Sequence, residues 1–488
     1  MNENFFVTPP FGWQKKAFNI AHKLPEYALL ADMGTGKTKC AIDLLRSKYA
    51  QEMRLLKTVI FSPLVTLYNW KNEFQVHSKI DKNLIHVLDS SDSRIKDLRK
   101  AIGEGSEKSA IIIVNYEAAI NTTFQAMIKA WNPEIILCDE MHYIKSYKSQ
   151  RAKAIVKIAD SSLYRFGLTG TPILNDAMDI FMQYKFLDKG ESFGSNFFKF
   201  RSEYFEDTNA SWASKKAHFP NWKLKKHKID EMNSKIYSKA FRVTKDECLD
   251  LPPLIKETVK LPMKGDMLKA YLQMQNDFIT FVEDQKTKES LAVVAQLALT
   301  KSLRLLQITS GFAKSEEGVI VRFKYNPKIM WLEDALPNMA LGNKVILWCA
   351  FKEDYTMLSE LCDKLKIKYC MITGDQSLDE KQESIDSITK NDDVRVVIAN
   401  RRAGGIGINL VECKYSVVYS RNASLSDELQ SEARNYRSGS QMHDKIVKID
   451  LTCQDSIDEL YLSALQGKFE LSEIILKLTE ELCKLKNN

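Results

Sequence analysis

Two adjacent carboxylates, Asp139 and Glu140, stand at the end of an apolar run in the segment ILCDEMHYIK, and His142 follows two residues later. Paired carboxylates can serve as an acid/base pair of a hydrolase, as part of a metal cage, or as the metal end of a nucleotide site. The dipeptide is common, and an acidic strand end that faces solvent is its simplest interpretation. The segment alone leaves these alternatives open.

A phosphate-binding loop is indicated by the segment DMGTGKT, which lies between the apolar run YALLA and the amphipathic stretch KCAIDLLRSKYA. A glycine-bearing loop between a strand and a helix exposes backbone N–H groups that bind phosphate oxygens. Lys37 would reach the β- and γ-phosphates, and the Thr38 hydroxyl would bind Mg²⁺. Ala31 occupies the first glycine position of the general pattern, so the match is incomplete. The predicted ATP-binding residues of this loop are Gly34, Thr35, Gly36, Lys37 and Thr38.

This loop assigns a role to the two carboxylates. In a P-loop fold the second acidic element ends a neighbouring strand, so Asp139 is expected to hold Mg²⁺ together with Thr38, partly through water. Glu140 is then expected to orient and deprotonate the water that attacks ATP. The predicted residues that couple the γ-phosphate to the motif LTGTP are His142, Thr169, Gly170 and Thr171.

Short apolar runs separated by amphipathic segments recur on both halves of the chain. Such runs are typical of buried parallel strands with crossover helices. The pattern predicts an α/β fold with two tandem parallel sheets, each flanked by helices. The predicted boundaries are a first lobe at 1–247 with a helical and basic-aromatic protrusion at 176–245, a linker at 248–262 around LDLPPL, and a second lobe at 263–488 with a helical insertion at 264–312.

The second lobe carries the segments AGGIGINL and LQSEARNYRSGSQ. Gln430, Arg434 and Arg437 are spaced as one face of a helix, predicted at 426–438. Such a stripe is commonly a solvated surface. Because a complete P-loop half precedes it, we expect the two arginines to be arginine fingers that neutralise charge on a phosphate in the cleft between the sheets.

Composition limits the class of protein. The chain has 488 residues, 44% of them hydrophobic and 27% charged, with a net charge of +7. The charge excess is compatible with a polyanionic partner without requiring one. Because the sequence shows neither a membrane-length apolar run nor a secretory signal, we expect an intracellular, cytoplasmic protein without a membrane partner.

These motifs, in their order, resemble the SWI/SNF-like ATPases, the double-stranded DNA translocases of helicase superfamily two (DEAD/DEAH type). The matching segments are FGWQ, DMGTGKT, VIFSPLVTLYNWKNEF, IIIVNYE, ILCDEMHYIKS, RFGLTGTPILND, FRVTKDECLDLPPL, KVILWCAF, MITGD, AGGIGINL and LQSEARNYR. The resemblance implies two RecA-like P-loop lobes, the cofactors ATP and Mg²⁺, and an adenine-reading role for Gln14. It also implies that Gly405, Gly407 and Gln430 complete the ATP site. The chain departs from the family at Arg401 and Arg402, where a threonine and a lysine are usual.

The resemblance further implies a motor that hydrolyses ATP to move along double-stranded DNA, in a compact form such as viruses and bacteria encode. A strand-separating or fork-remodelling helicase, acting on forked or single-stranded DNA, is an alternative in the same enzyme class. An ATP-switched subunit of a defence or restriction complex is an alternative of another class. The predicted DNA contacts are Ser62, Pro63, Asn115, Thr373, Gly374, Arg401, Arg402, Lys223, Lys225 and Lys226.

The basic-aromatic segment from Ser211 gives a testable expectation. Lysines that alternate with tryptophan and phenylalanine suit phosphate contact together with base stacking, but they also suit an exposed loop. Replacing Lys223, Lys225 and Lys226 together by alanine should weaken DNA-stimulated ATP hydrolysis, and more so at higher salt. Stimulation that stays unchanged across a salt series would remove this segment from the DNA-binding surface.

Overall fold

The computed structural model describes residues 5–170, 177–208, 222–248, 250–285, 291–315, 318–401, 408–421, 428, 431–437 and 439–466, with side chains except at 65, 246, 277–285, 291–299, 378 and 464–466. The chain divides into two compact units, Met1–Leu249 and Asp250–Asn488. None of the described helices is both long and apolar enough to cross a bilayer.

The first unit is built on a parallel sheet with the strand order β3-β4-β2-β5-β6-β1-β9. Every strand pair of this sheet is parallel, as crossover connections require. A separate antiparallel hairpin joins β7 to β8. The strands are β1 (Glu26–Ala31), β2 (Thr58–Ser62), β3 (Ile85–Leu88), β4 (Ile111–Asn115), β5 (Ile135–Asp139), β6 (Tyr164–Thr169), β7 (Phe205–Asp207), β8 (Trp222–Leu224) and β9 (Ala240–Val243).

Helices cover both faces of this sheet. Neighbouring residues of β4 point to opposite faces, so Ile111 and Ile113 join one apolar cluster while Ile112 and Val114 join the other. Strands that are buried on both faces have continuously apolar sequences, which is why they could be predicted from the sequence. The helices are α1 (Gly12–Ala21), α2 (Lys37–Gln51), α3 (Leu67–His77), α4 (Arg94–Ile102), α5 (Thr122–Trp131), α6 (Gln150–Ala159), α7 (Ile180–Asp188), α8 (Phe197–Tyr204), α9 (Ile229–Ser238) and α10 (Lys245–Cys248).

The second unit is built on another parallel sheet, with the strand order β10-β17-β16-β13-β15-β14, and a separate hairpin of β11 and β12. The predicted α/β class with two parallel sheets is therefore confirmed. Its strands are β10 (Leu254–Leu261), β11 (Phe312–Lys314), β12 (Ile320–Arg322), β13 (Lys344–Cys349), β14 (Tyr369–Ile372), β15 (Val396–Asn400), β16 (Cys413–Val418) and β17 (Ile446–Cys453). Its helices are α11 (Gly265–Gln285), α12 (Leu291–Ser310), α13 (Pro327–Ala340), α14 (Lys352–Lys364), α15 (Leu378–Lys390) and α16 (Ile457–Gln466).

Two predicted boundaries need correction. The predicted linker 248–262 is wrong over β10, whose eight residues pair in parallel with the whole of β17. The predicted protrusion 176–245 contains β9, which pairs with β1 at the edge of the first sheet. Both are edge strands with partly exposed side chains, so their sequences lack the apolar run of a central strand.

A cluster of buried charges lies in the second unit. Both carboxylate oxygens of Glu428 are used, since Arg401 pairs with Oε2 and the Lys448 ammonium donates to Oε1 at 2.5 Å. Arg421 pairs with Asp450 and lies 4.0 Å from Glu428. Burial by itself raises the pKa of Glu428, but the charges of Arg401, Lys448 and Arg421 outweigh it and hold that pKa well below its usual range.

Replacing Glu428 by glutamine should therefore destabilise the second unit, because buried cations lose their counter-charge. The expected loss is about 3 kcal/mol in the free energy of opening. Hydrogen exchange of the β13 and β16 amides reports on this unit alone. The matched control is Asp386→Asn, which removes an exposed i,i+4 partner of Lys390 and should leave the exchange of these amides nearly unchanged. Equal effects of the two variants would contradict the role of Glu428.

Candidate functional site

The loop between β1 and α2 has the conformation of a phosphate cradle. Gly34 and Gly36 adopt left-handed backbone angles, with φ of +83° and +88°. Thr35 holds the loop closed, because its hydroxyl donates to the Asp32 carbonyl at 2.7 Å. Gly36 directly precedes Lys37, the first residue of α2. The loop thus ends at a helix N-terminus, where unpaired N–H groups favour anions.

Lys37 lies at the centre of this site and is 8% exposed. Its ammonium donates to the carbonyls of Ala31 and Asp32 at 2.8 and 3.3 Å. The same ammonium lies 4.0 Å from Oε1 of Glu140. The structure therefore brings together the lysine and the glutamate that the sequence assigned to one nucleotide site.

Asp139 ends β5 and is 7% exposed. Its Oδ2 accepts two hydrogen bonds, from the Ser62 hydroxyl at 2.9 Å and from the Trp70 indole N–H at 2.8 Å. Burial raises the pKa of this carboxyl, the Glu140 charge raises it further, and the two hydrogen bonds and Lys37 act in the opposite direction. Asp139 is thus a buried acid whose charged form depends on its neighbours.

Glu140 is held in an unusual backbone conformation. Its φ of 52° and ψ of 57° lie in the left-handed region, and it precedes the short 3₁₀ turn Met141–Ile144. Such conformations cost about 1–3 kcal/mol in a residue with a side chain and persist where the surroundings fix them. One oxygen of the carboxylate faces Lys37, and the other lies 3.3 Å from Nδ1 of His142.

The predicted coupling residues lie next to this carboxylate. Nδ1 of His142 is 3.2 Å from the hydroxyl of Thr169, the last residue of β6. Gly170 packs against the phosphate loop, where a Cβ atom would come within 3.4 Å of the Ala31 carbonyl. Thr171 lies outside the described residues. His142 therefore contacts both the glutamate and the end of β6.

Gln14, the predicted adenine reader, contacts the phosphate loop itself. Its Nε2 donates to the Gly36 carbonyl at 2.9 Å, and its Oε1 accepts from the Phe11 N–H at 2.8 Å. The neighbouring Trp13 indole donates to the Thr35 carbonyl at 3.2 Å. Both ends of the Gln14 amide thus bind backbone, so helix α1 supports the loop directly.

The oxygen donors of this site suit magnesium. Mg²⁺ prefers oxygen ligands and is commonly bound by one or two carboxylates with waters and phosphate oxygens. Asp139 supplies a carboxylate whose Oδ1 is not used by Ser62 or Trp70. Thr38, the second residue of α2, is partly exposed and carries a hydroxyl. These two residues fit the role that the sequence predicted.

The predicted arginine helix 426–438 is described only at 428 and 431–437, and the prediction needs correction within that part. Ser431 and Glu432 are helical, but Ala433 to Asn435 form a turn. The Arg434 carbonyl accepts from the N–H of Leu410 at 3.0 Å. Arg434 also donates to the Ile408 carbonyl at 3.4 Å. The predicted ATP residues Gly405, Gly407 and Gln430 lie outside the described residues.

Several predicted DNA contacts are buried and do not present a surface to DNA. Ser62 is fully buried and Arg401 is 1% exposed. Asn115 caps the turn after β4, since its Oδ1 accepts from the Ala118 N–H. Pro63 and Thr373 are also buried. All of these residues follow or end parallel strands, where the first residues after a strand still belong to the core.

Gly374 is the predicted contact in the second unit that is exposed. It lines a surface cavity of about 430 Å³ together with Lys352, Lys381 and Asn400. The sequence did not assign Lys352 or Lys381, because single lysines in helices are ordinary solvated residues. Asp375 also lines this cavity and pairs with Lys352 at 2.7 Å, so a phosphate would have to compete with that carboxylate for Lys352. With Lys381 beside Gly374, the cavity is a candidate phosphate-contact surface. Arg402 lies outside the described residues.

The predicted basic-aromatic segment is described only from Trp222 onward. Lys223 and Lys226 are exposed. Lys225 differs, because its ammonium donates to the Ser202 and Glu203 carbonyls near the end of α8. Among these three lysines, Lys223 and Lys226 therefore have the side chains that a phosphate can reach.

Two family models match the chain. Residues 17–309 match the SNF2-related domain, which covers more than half of the chain, and residues 327–439 match the helicase conserved C-terminal domain. The chain is 26% identical to the CHD3-type chromatin-remodeling factor PICKLE of Arabidopsis thaliana, over 96% of this chain and 33% of that protein. It is 24% identical to the human DNA repair and recombination protein RAD54B, over 84% of this chain and 48% of that protein.

The structure is also similar to a solved one, the Sulfolobus solfataricus SWI2/SNF2 ATPase core in complex with dsDNA. The TM-score is 0.44 at 21% identity, with 96% of this chain and 92% of that chain covered. The chain spans less than half the length of the two curated relatives named above.

The close packing of Gln14 on Gly36 gives a test of the loop. A Cβ atom at Gly36 would lie 2.7 Å from Nε2 of Gln14, at a φ that side chains rarely adopt. Gly36→Ala should therefore weaken ATP binding by about tenfold or more, measured by titration calorimetry. The control is Gly12→Ala, where no atom lies within 4 Å of the added Cβ. Wild-type affinity in Gly36→Ala would refute the cradle.

Proposed function

Since this chain belongs to the SNF2-related domain family, we propose that it is a DNA-dependent ATPase that moves along double-stranded DNA. The observation that carries the proposal is the convergence of Lys37, Glu140 and His142 around a phosphate loop. A phosphate loop alone would also suit a kinase or a GTPase. The second domain match, at 327–439, favours a helicase-type motor over those enzymes.

The residues of the first unit can carry out hydrolysis in the following way. On nucleotide binding, Lys37 exchanges the two carbonyls that it now contacts for phosphate oxygens. Glu140 accepts a proton from the attacking water, and its fixed backbone aims the carboxylate. Thr38 and Asp139 would hold Mg²⁺, which supplies charge neutralisation when it is bound. For Arg434 and Arg437, which belong to the second unit, we keep the role that the sequence predicts, namely supplying positive charge to the transition state.

Contact with DNA is proposed to run through the phosphate backbone. Lys352, Lys381 and Gly374 share one exposed cavity, and Lys223 and Lys226 are exposed on the first unit. Backbone contacts by lysines carry no base sequence information. Binding is therefore expected to be independent of sequence and sensitive to salt.

Strand separation is a second candidate activity, favoured by one observation. A wedge that separates DNA strands would need a protruding hairpin, and the described strands β7 and β8 pair antiparallel as the base of such a hairpin would. Displacement of a third strand from a triplex measures translocation, whereas release of a labelled strand from a fork measures unwinding. Third-strand displacement without release from the fork is the result expected of the leading proposal.

ATP turnover should be low without nucleic acid and rise more with duplex DNA than with single strands. Lys37→Ala and Glu140→Gln should each lower the stimulated rate by about 100-fold or more. Arg434→Ala should lower it by about 1000-fold while equilibrium ATP binding is retained, because an arginine finger acts on the transition state.

Lys157→Ala is the charge-matched control on the first unit, since this exposed lysine of α6 lies outside the proposed machinery. It should turn over ATP like the wild type. The proposal fails when duplex DNA leaves the rate unchanged or when Lys37→Ala hydrolyses ATP normally.

A further inference from the structure

Two side chains, Trp70 and Ser62, hold Asp139, the carboxylate that we propose as a magnesium ligand. Trp70 reaches it from α3, and Ser62 reaches it from the end of β2. Both are fully buried. Each donates a hydrogen bond to Oδ2, at 2.8 Å from the indole nitrogen and 2.9 Å from the hydroxyl. Two donors on one oxygen fix the rotation of the carboxylate as well as its position.

The donors are themselves fixed by further contacts. The Ser62 hydroxyl lies 2.6 Å from the hydroxyl of Thr66, whose single proton has two acceptors in reach, the Ser62 oxygen and the Pro63 carbonyl at 2.9 Å. The Tyr116 hydroxyl donates to the backbone carbonyl of Asp139 at 2.6 Å. The ring of Trp70 packs near that of Phe74, with centroids 6.1 Å apart. The donors to Oδ2 and to the backbone carbonyl of Asp139 are therefore held in place by their own contacts.

We propose that Trp70 and Ser62 are positioning residues that direct Oδ1 of Asp139 toward the nucleotide-bound magnesium ion and thereby set the magnesium affinity of the ATP complex. The inference rests on the proposed function, because it takes the site to be an ATP site. Ser62 was predicted to contact DNA. Its hydroxyl is instead fully buried and donates to Asp139, so we assign it to the orientation of that carboxylate.

The chemistry distinguishes this role from simple packing. Trp70→Phe keeps an aromatic ring in the core and removes the indole N–H, and Ser62→Ala removes one hydroxyl with little change of volume. Loss of an outer partner of a metal ligand typically lowers metal affinity by about 10–100-fold. The effect should appear only when magnesium is present, because phosphate contacts from the loop do not pass through Asp139.

The experiment is calorimetric binding of a non-hydrolysable ATP analogue to the full chain, once with excess Mg²⁺ and once with EDTA. Trp70→Phe and Ser62→Ala should each lower the affinity with Mg²⁺ by about tenfold and leave the affinity in EDTA unchanged. The matched control is Trp131→Phe, since Trp131 is also fully buried but its indole donates to the Lys108 carbonyl. That variant should match the wild type under both conditions.

The outcomes separate this inference from the proposed function. Wild-type protein that binds the analogue under neither condition, or Lys37→Ala that binds it normally, would refute the nucleotide site itself. Wild-type binding that is equally tight with Mg²⁺ and with EDTA would leave that site standing and overturn the positioning role. A wild-type preference for Mg²⁺ that persists in full in Ser62→Ala and Trp70→Phe would overturn the positioning role alone. Equal losses with Mg²⁺ and EDTA would also overturn it, because they indicate general damage to the site. If Trp70→Phe does not fold, Ser62→Ala decides.

Discussion

Burial of the Asp139 carboxylate is the constraint around which the first unit is arranged. An ionised carboxylate removed from water is costly unless hydrogen bonds and a counter-charge compensate it. Here the indole of Trp70 and the hydroxyl of Ser62 supply the hydrogen bonds, and Lys37 supplies part of the charge. The donors come from β2 and α3, so the packing of these elements against β5 and the chemistry of the site depend on one another.

The second unit also buries charged side chains, but it compensates them by ion pairs between arginine or lysine and carboxylates. Arg401 stands where the family usually has a threonine, and its side chain is buried. The Glu428 carboxylate forms ion pairs with Arg401 and Lys448, and the Asp450 carboxylate forms one with Arg421. A departure from the family pattern that would look like a surface change therefore belongs to a compensated buried network. The fold is shared with the family, whereas this network of buried ion pairs includes an arginine that the family pattern does not have.

The similarities place the catalytic framework within a family whose members differ in biological role. The two curated relatives described above are named for chromatin remodelling and for DNA repair and recombination, and this chain matches less than half of each. A shared fold supports many activities, so the process that this chain serves depends on surfaces outside the shared framework.

The sequence by itself determined the central strands and the phosphate loop. Strands such as β4 are buried on both faces and must be continuously apolar, and the loop needs Gly34 and Gly36 at left-handed angles. The edge strands β9 and β10 lie in segments that were predicted as a protrusion and a linker, because a strand with one partner can keep polar side chains. Only the tertiary structure decided which side chains at the ends of the strands are buried. Ser62 looked like a DNA contact but donates to Asp139, since hydrogen bonds between residues far apart in the chain are set by packing and leave no local pattern.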